Sequence, residues 1–273
     1  MSGHPGLHRK VLMAHGPKGD TRRTYWVKDQ EPIRISSGVE KKQRVVNPGI
    51  HPKERISVSY GMIFSKTANH GVDAAVHAIG QVHTVPKDLL KIKMNVTGSL
   101  GGAGGMYMLR DPEIKVSKWA KGHAGIAAHE YGHFLDHNLF GAGGVSGQDG
   151  LRGMGTMRRS KELKGLMTAI YKSDAAKQLM GRHEAAIKND WPNAKRSAEY
   201  LLMPAELFAR SYAQWVGHHA GGAVQHDTKA FGDQWRQLGN MHAQWDDKDF
   251  APIAKEFDRL FARRGLLNRR NVS

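Results

Sequence analysis

Residues 127–137 read AAHEYGHFLDH, three histidines, a glutamate and an aspartate set among apolar neighbours. Burying unpaired charge is costly, so these side chains are paired with one another or bind something. His129 and His133 are spaced i and i+4, which puts both on one face if the segment is a helix. Two imidazoles so placed can reach one ion, because a zinc–nitrogen bond of about 2.0–2.1 Å requires such convergence. Glu130 then lies beside the ion rather than pointing at it. There it can take a proton from an activated water and return it to a leaving amine.

This is an HExxH motif. At the frequencies of His and Glu in this chain, a stray copy arises roughly one time in thirty. The surrounding run AGIAAHEYGHFLDHNLF is too apolar for a decorative surface pair, whereas RHEAAIK (182–188) begins alike and has Ile187 where the second histidine belongs. His137 stands about 12 Å along the helix from His129, too far to share its ion, and reads as a neighbour. Asp136 is a candidate carboxylate for orienting an imidazole, and His123 reads as solvated. Gly132 costs about 1 kcal/mol in a helix relative to Ala, which points to close approach by another backbone.

Catalytic zinc commonly takes three protein ligands and leaves one position open. With no cysteine in the chain, the third must come from His or a carboxylate. A continuation HExxHxxGxxH fails, since Asp136 and Leu139 occupy its Gly and His positions, and a GTxxD pattern fails at Arg159. Four glutamates remain: Glu162, Glu184, Glu199 and Glu206. The first two sit in strongly polar surroundings. Glu206 follows Pro204, a residue suited to a helix's first turn, and precedes the apolar LFARSYAQW. A carboxylate early in a helix is favoured by the dipole in any case, but an unpaired one in so apolar a helix is expensive. Glu206 is therefore favoured over Glu199.

These residues need elements to hold them. Residues 1–56 are polar, basic and broken by Gly and Pro, and read as an arm or small appended region with short strands such as RTYWV. Strand character follows in RISVSYGMIF (55–64), a helix at 70–82, and an alternating strand at 90–98. The glycine-rich GSLGGAGG (98–105) leads to two short strands, 106–109 and 113–116, about a turn at Asp111-Pro112. Helical pattern runs from about 120 to 140, then a long Gly-rich loop over 141–155, of the kind that is either mobile or functional. Helices follow at about 161–188, 196–219 (interrupted near Pro204) and 248–264. The fold class is α+β, with a mainly helical C-terminal half.

The 273 residues carry 41 Lys and Arg against 25 Asp and Glu, a formal net charge of +16. Such a field favours acidic surfaces or non-specific nucleic acid as partners, without any zinc-finger or P-loop pattern to make that specific. No run approaches a membrane span, and the N-terminus lacks the apolar core of a secretory signal. A cytoplasmic location is expected.

HEYGHFLDH followed at a distance by PAELFARSY resembles the zinc-peptidase group that contains the anthrax lethal factor catalytic domain and Mlc titration factor. It resembles still more the metallopeptidase-type domains of phage polyvalent proteins, in which HE-aromatic-G/A-H-x-x-D precedes a helix reading E-aromatic/Leu-F-A. The approach AGGMYMLRDPEIKVSKWAKGHAGIAAHE is similar to theirs as well. The likeness spans roughly residues 60–265, with its specific motifs at 100–137 and 199–213. It implies a gluzincin-type, zincin-like catalytic domain at 57–273 and zinc held by His129, His133 and Glu206. It implies Glu130 as general base of a metalloendopeptidase, and a protein or peptide substrate. Tyr200 falls one residue from the place of an oxyanion-stabilising tyrosine in lethal-factor-like members. Arg210, one turn after Glu206, is expected to anchor it or to contact substrate. A phage origin would allow a virion-associated location. The rival expectation is a non-catalytic zincin-fold protein, a particle component that works through its basic surface.

Overall fold

The computed structural model describes residues 62–64, 70–82, 92–109, 113–141, 154–239 and 242–268. Before them stand two short strands, β1 (Leu7–His8) and β2 (Val27–Lys28), which pair antiparallel. The rest of the 1–56 arm, the start of the 55–64 strand, the Asp111-Pro112 turn and residues 142–153 of the Gly-rich loop lie outside the described residues.

The architecture is α+β. Four strands, β3 (Met62–Phe64), β4 (Ile92–Thr97), β5 (Gly105–Met108) and β6 (Glu113–Ser117), form one sheet in the order β3-β4-β6-β5. β3 and β4 run parallel, as do β4 and β6, while β5 is antiparallel to β6. The parallel β3–β4 step needs a crossover, and α1 (His70–Val82) supplies it. In β4, Ile92 and Met94 are buried and Lys93 between them is exposed; Ile114 and Val116 of β6 are buried on the same cluster. Period-two alternation thus gives the sheet one apolar face. Val76 and Ile79 of α1 and Phe134 of the next helix, α2 (His123–Asn138), share that core.

Sheet order decides which strand has a free edge. β6 is paired on both sides and has no free edge on which an extended peptide could pair. β5 is an edge strand among the described residues.

The C-terminal half is helical. A single 3-10 turn (Lys161–Leu163) leads into α3 (Lys164–Lys172), followed by α4 (Asp174–Lys188) and α5 (Pro192–Leu202). Then come α6 (Pro204–Ala220), α7 (Gly222–Gly239) and α8 (Asp247–Arg263). The expected helix at 161–188 is broken at Ser173, whose backbone turns extended and whose hydroxyl accepts the Ala176 N–H of α4. That is N-cap chemistry. α7 is an addition that the sequence reading did not contain. Its residue Asp227 caps α2 from outside, with one carboxylate oxygen accepting the Ala124 and Gly125 N–H groups at 3.0 and 3.1 Å.

α2 and α6 pack face to face, and Gly132 sets their separation. A Cβ at that position would stand 2.9 Å from the Ala209 Cα, which is backbone and cannot turn aside. Behind the contact lies an aromatic cluster of Tyr131, Phe134, Phe208, Tyr212, Trp215, Phe257 and Phe261, all fully buried. Gly132→Val gains less than about 1 kcal/mol in helix propensity but must push the helices apart. Overpacking of this kind costs roughly 3 kcal/mol. Urea denaturation is expected to show a midpoint lowered accordingly; parental stability would mean the two helices do not meet there.

Candidate metal centre

The site is built on α2 and α6, the two helices that Gly132 lets approach. α2 brings His129, Glu130 and His133; α6 brings Glu206 in its first turn. His129 Nε2 lies 3.3 Å from one Glu206 carboxylate oxygen and His133 Nε2 lies 3.2 Å from the other. The two Nε2 atoms are 3.1 Å apart, their rings nearly perpendicular. His133 and Glu206 are buried and His129 is partly so.

These separations can be tested against an ion. Ligand atoms about 2.0–2.1 Å from one tetrahedral zinc stand roughly 3.3–3.4 Å from each other. The three observed distances fall within a few tenths of an ångström of that spacing. The donor set, two imidazole nitrogens and one carboxylate, is also of the type zinc accepts. His129, His133 and Glu206 form the group among the described residues that could hold a metal ion. The residues fit.

The electrostatics agree. Burial opposes ionisation of Glu206, yet the two imidazoles overcome it and hold the carboxyl well below the usual carboxylate range. Burial also works against a charged His133, but Glu206 first, then Glu130 and Asp136, raise it to about 9. The place is one that draws positive charge. Protonated imidazole can supply it, and so can a dication held by neutral rings. Glu130 is buried beside the cluster, and burial pushes its carboxyl upward against the pull of both histidines. The backbone N–H of Tyr107, on β5, adds a smaller pull towards the charged form.

The other expected residues are placed as follows. Tyr200, at the end of α5, donates its hydroxyl to Glu206 at 2.5 Å, so this structure uses it to fix the carboxylate. Asp136 does not orient an imidazole. It is fully buried, and its two oxygens accept the Thr156 N–H at 2.9 Å and the Thr156 hydroxyl at 2.5 Å. Its role is to tie the segment after the Gly-rich loop to α2. His133 Nδ1 is buried with no hydrogen-bond partner among the described residues.

Arg210 is likewise corrected. Its guanidinium donates to the carbonyls of Leu201 and Ala243 and stands 5.5 Å from the Trp245 ring. At 2% exposure it cannot meet a substrate, and it makes no bond to Glu206, although the two charges attract. It secures the end of α5, and through it Tyr200.

His137 is directed away from the cluster, against the Tyr107 hydroxyl at 3.1 Å. His123 is bonded to the Ser117 carbonyl rather than simply solvated. Among the rival glutamates, Glu184 is exposed, Glu199 pairs with His183 and Lys195, and Glu162 pairs with Arg264. Tyr107 and Thr156 were not foreseen. Thr156 had a signal, the GT that follows the Gly-rich loop; Tyr107 had none beyond its place in a strand.

No protein-family model, curated protein or solved structure matches this chain. Among the described residues no helix is long and apolar enough to cross a membrane.

Proposed function

We propose that the chain is a zinc-dependent peptide hydrolase of the zincin type, a metalloendopeptidase with a narrow protein or peptide substrate. The observation that carries this is the convergence of His129, His133 and Glu206 at 3.1–3.3 Å with Glu130 alongside. Zinc held by His129, His133 and Glu206 would supply a Lewis acid, lowering the pKa of water towards 7 and polarising a carbonyl. Glu130 takes the proton of the attacking water and returns it to the leaving amine. Tyr200 holds Glu206 in register by its hydroxyl. The likeness to the phage-type metallopeptidase domains supports the same reading, and it favours a cytoplasmic or virion-associated protein.

β5 is the strand placed to align an extended peptide by edge pairing. Ser117 N–H donates to the Gly104 carbonyl at 2.8 Å. By the alternation of an antiparallel pair, Met106 and Met108 also bond into β6, while Gly105 and Tyr107 turn their backbone groups outward. The Tyr107 N–H faces Glu130. A peptide on this edge meets the Tyr107 carbonyl and the two groups of Gly105.

The test is cleavage of a proteome-derived peptide library by protein loaded with one equivalent of zinc. Cleavage is expected to vanish on chelation and to return when that equivalent is restored. A library left intact by the loaded protein overturns hydrolysis.

A second reading has one observation of its own. Residues 1–56 carry 12 Lys and Arg against 5 Asp and Glu. A zinc-stabilised, non-catalytic protein using that arm on nucleic acid would bind it with steep salt dependence and cut nothing.

A further inference from the structure

Tyr107 touches the machinery at both ends, in two different ways. Its backbone N–H faces out of the sheet, by the β5–β6 register, towards Glu130, whose charged form it favours. Its side chain faces the helix layer, where the hydroxyl accepts the Asn138 side-chain N–H at 2.7 Å and lies 3.1 Å from His137 Nδ1. Asn138 is itself fixed, donating to the Phe134 carbonyl at 3.0 Å. The ring packs edge-on to Phe134 at 6.0 Å. Two residues earlier, Gly105 leaves room for Glu130: a Cβ there would stand 2.9 Å from both Glu130 Cγ and Glu130 Oε1. β5 is thus pinned to the last turn of α2 by one side chain while its backbone lies close against a residue two turns back on the same helix.

We infer that Tyr107 is a positioning residue for Glu130: its hydroxyl anchors the edge strand to α2 so that its own peptide N–H aims the glutamate. The inference rests on the hydrolytic reading in treating Glu130 as the base. The grip itself does not depend on turnover. An edge strand alone leaves its outward N–H groups to water, and nothing in the β5–β6 ladder holds the outward N–H of Tyr107. Glu130 is the group it faces. Without the Tyr107 hydroxyl, β5 keeps its ladder to β6 but loses its tie to Asn138 and His137, and the aim loosens.

The test is residue-resolved amide hydrogen exchange by NMR on the zinc-loaded full chain, in the parent, Tyr107→Phe, Glu130→Ala and the double variant. The amide of residue 107 is expected to be protected in the parent. It is expected to exchange at least tenfold faster in each single variant, with no further gain in the double variant, because both remove the same restraint. The amides of residues 106 and 108, bonded into β6, are expected to stay within about twofold. Zinc stoichiometry is expected to be unchanged in Tyr107→Phe.

An unprotected amide at residue 107 in the parent overturns the inference. So does acceleration in Tyr107→Phe that extends equally to residues 106 and 108, the mark of a merely structural role. On any library peptide the parent cleaves, Tyr107→Phe is expected to lower kcat about tenfold with KM nearly unchanged, and an unchanged kcat overturns the positioning role. If exchange behaves as expected and no peptide is cut, the grip on Glu130 stands and the hydrolytic reading falls.

Discussion

Glu206→Ala is expected to leave a folded protein that binds zinc at least a hundredfold more weakly than the parent. Loss of an outer partner of a metal ligand typically costs about 10–100-fold in affinity, and Glu206 is placed as a ligand itself. The two imidazoles of α2 remain, but a His pair alone leaves half of a tetrahedral ion to water. The fold pays less. Removing Glu206 frees the Tyr200 hydroxyl, a cost of about 1–3 kcal/mol, and at the same time removes a buried carboxylate. Competition with a chromophoric chelator, on tag-free protein checked by circular dichroism, reads the affinity directly. The control is Glu199→Ala, an exposed carboxylate paired with Lys195 and His183. Because the chain has 16 histidines, adventitious zinc would weaken equally little in both variants. A parent that holds no tight zinc, or a Glu206→Ala variant that holds it as tightly, removes the metal centre.

The convergence of His129, His133 and Glu206 was legible because metal chemistry constrains spacing and polarity together. His129 and His133 are four apart because one helical face requires it, and Glu206 stood out as a carboxylate in an apolar helix. The sheet was legible for a similar reason: Ile92 and Met94 about an exposed Lys93, and the short runs at 105–108 and 113–117, carry the period-two signal. α7 was not legible. Its buried line is Val224, Thr228, Gly232 and Trp235, so two positions that should advertise a core face hold a threonine and a glycine. Gly221 and Gly222, both at positive φ, further disguise its start as a linker. Asp136 and Arg210 were misassigned because sequence distance to a ligand does not say which way a side chain turns. Asp136 turns to Thr156, twenty residues away in the chain, and Arg210 to carbonyls at Leu201 and Ala243. Such partners are supplied by tertiary packing, which no local pattern encodes.

The same geometry separates holding the metal from using it. Glu130 is not one of the three residues whose ligand atoms converge, and the Tyr107 N–H on β5 favours its charged form. Glu130→Gln keeps the volume and keeps an oxygen for that N–H, so zinc affinity is expected to change by no more than about threefold. Stability is not expected to suffer either. Burial raises the carboxyl of Glu130 above its ordinary pKa, so the charged form is disfavoured in the folded protein and costs stability as pH rises above that ordinary value. A neutral amide removes this cost, and the metal-free variant at pH 8 is expected to melt at or above the parent's temperature. What the amide cannot do is accept a proton. General-base assistance contributes about 10²–10⁴-fold, and kcat on any peptide the parent cleaves is expected to fall by about 10³ with KM little changed. Turnover kept within tenfold of the parent would falsify the role given to Glu130, even with zinc bound at full stoichiometry. Loss of zinc in the same variant would instead mean that Glu130 belongs to the ligand set.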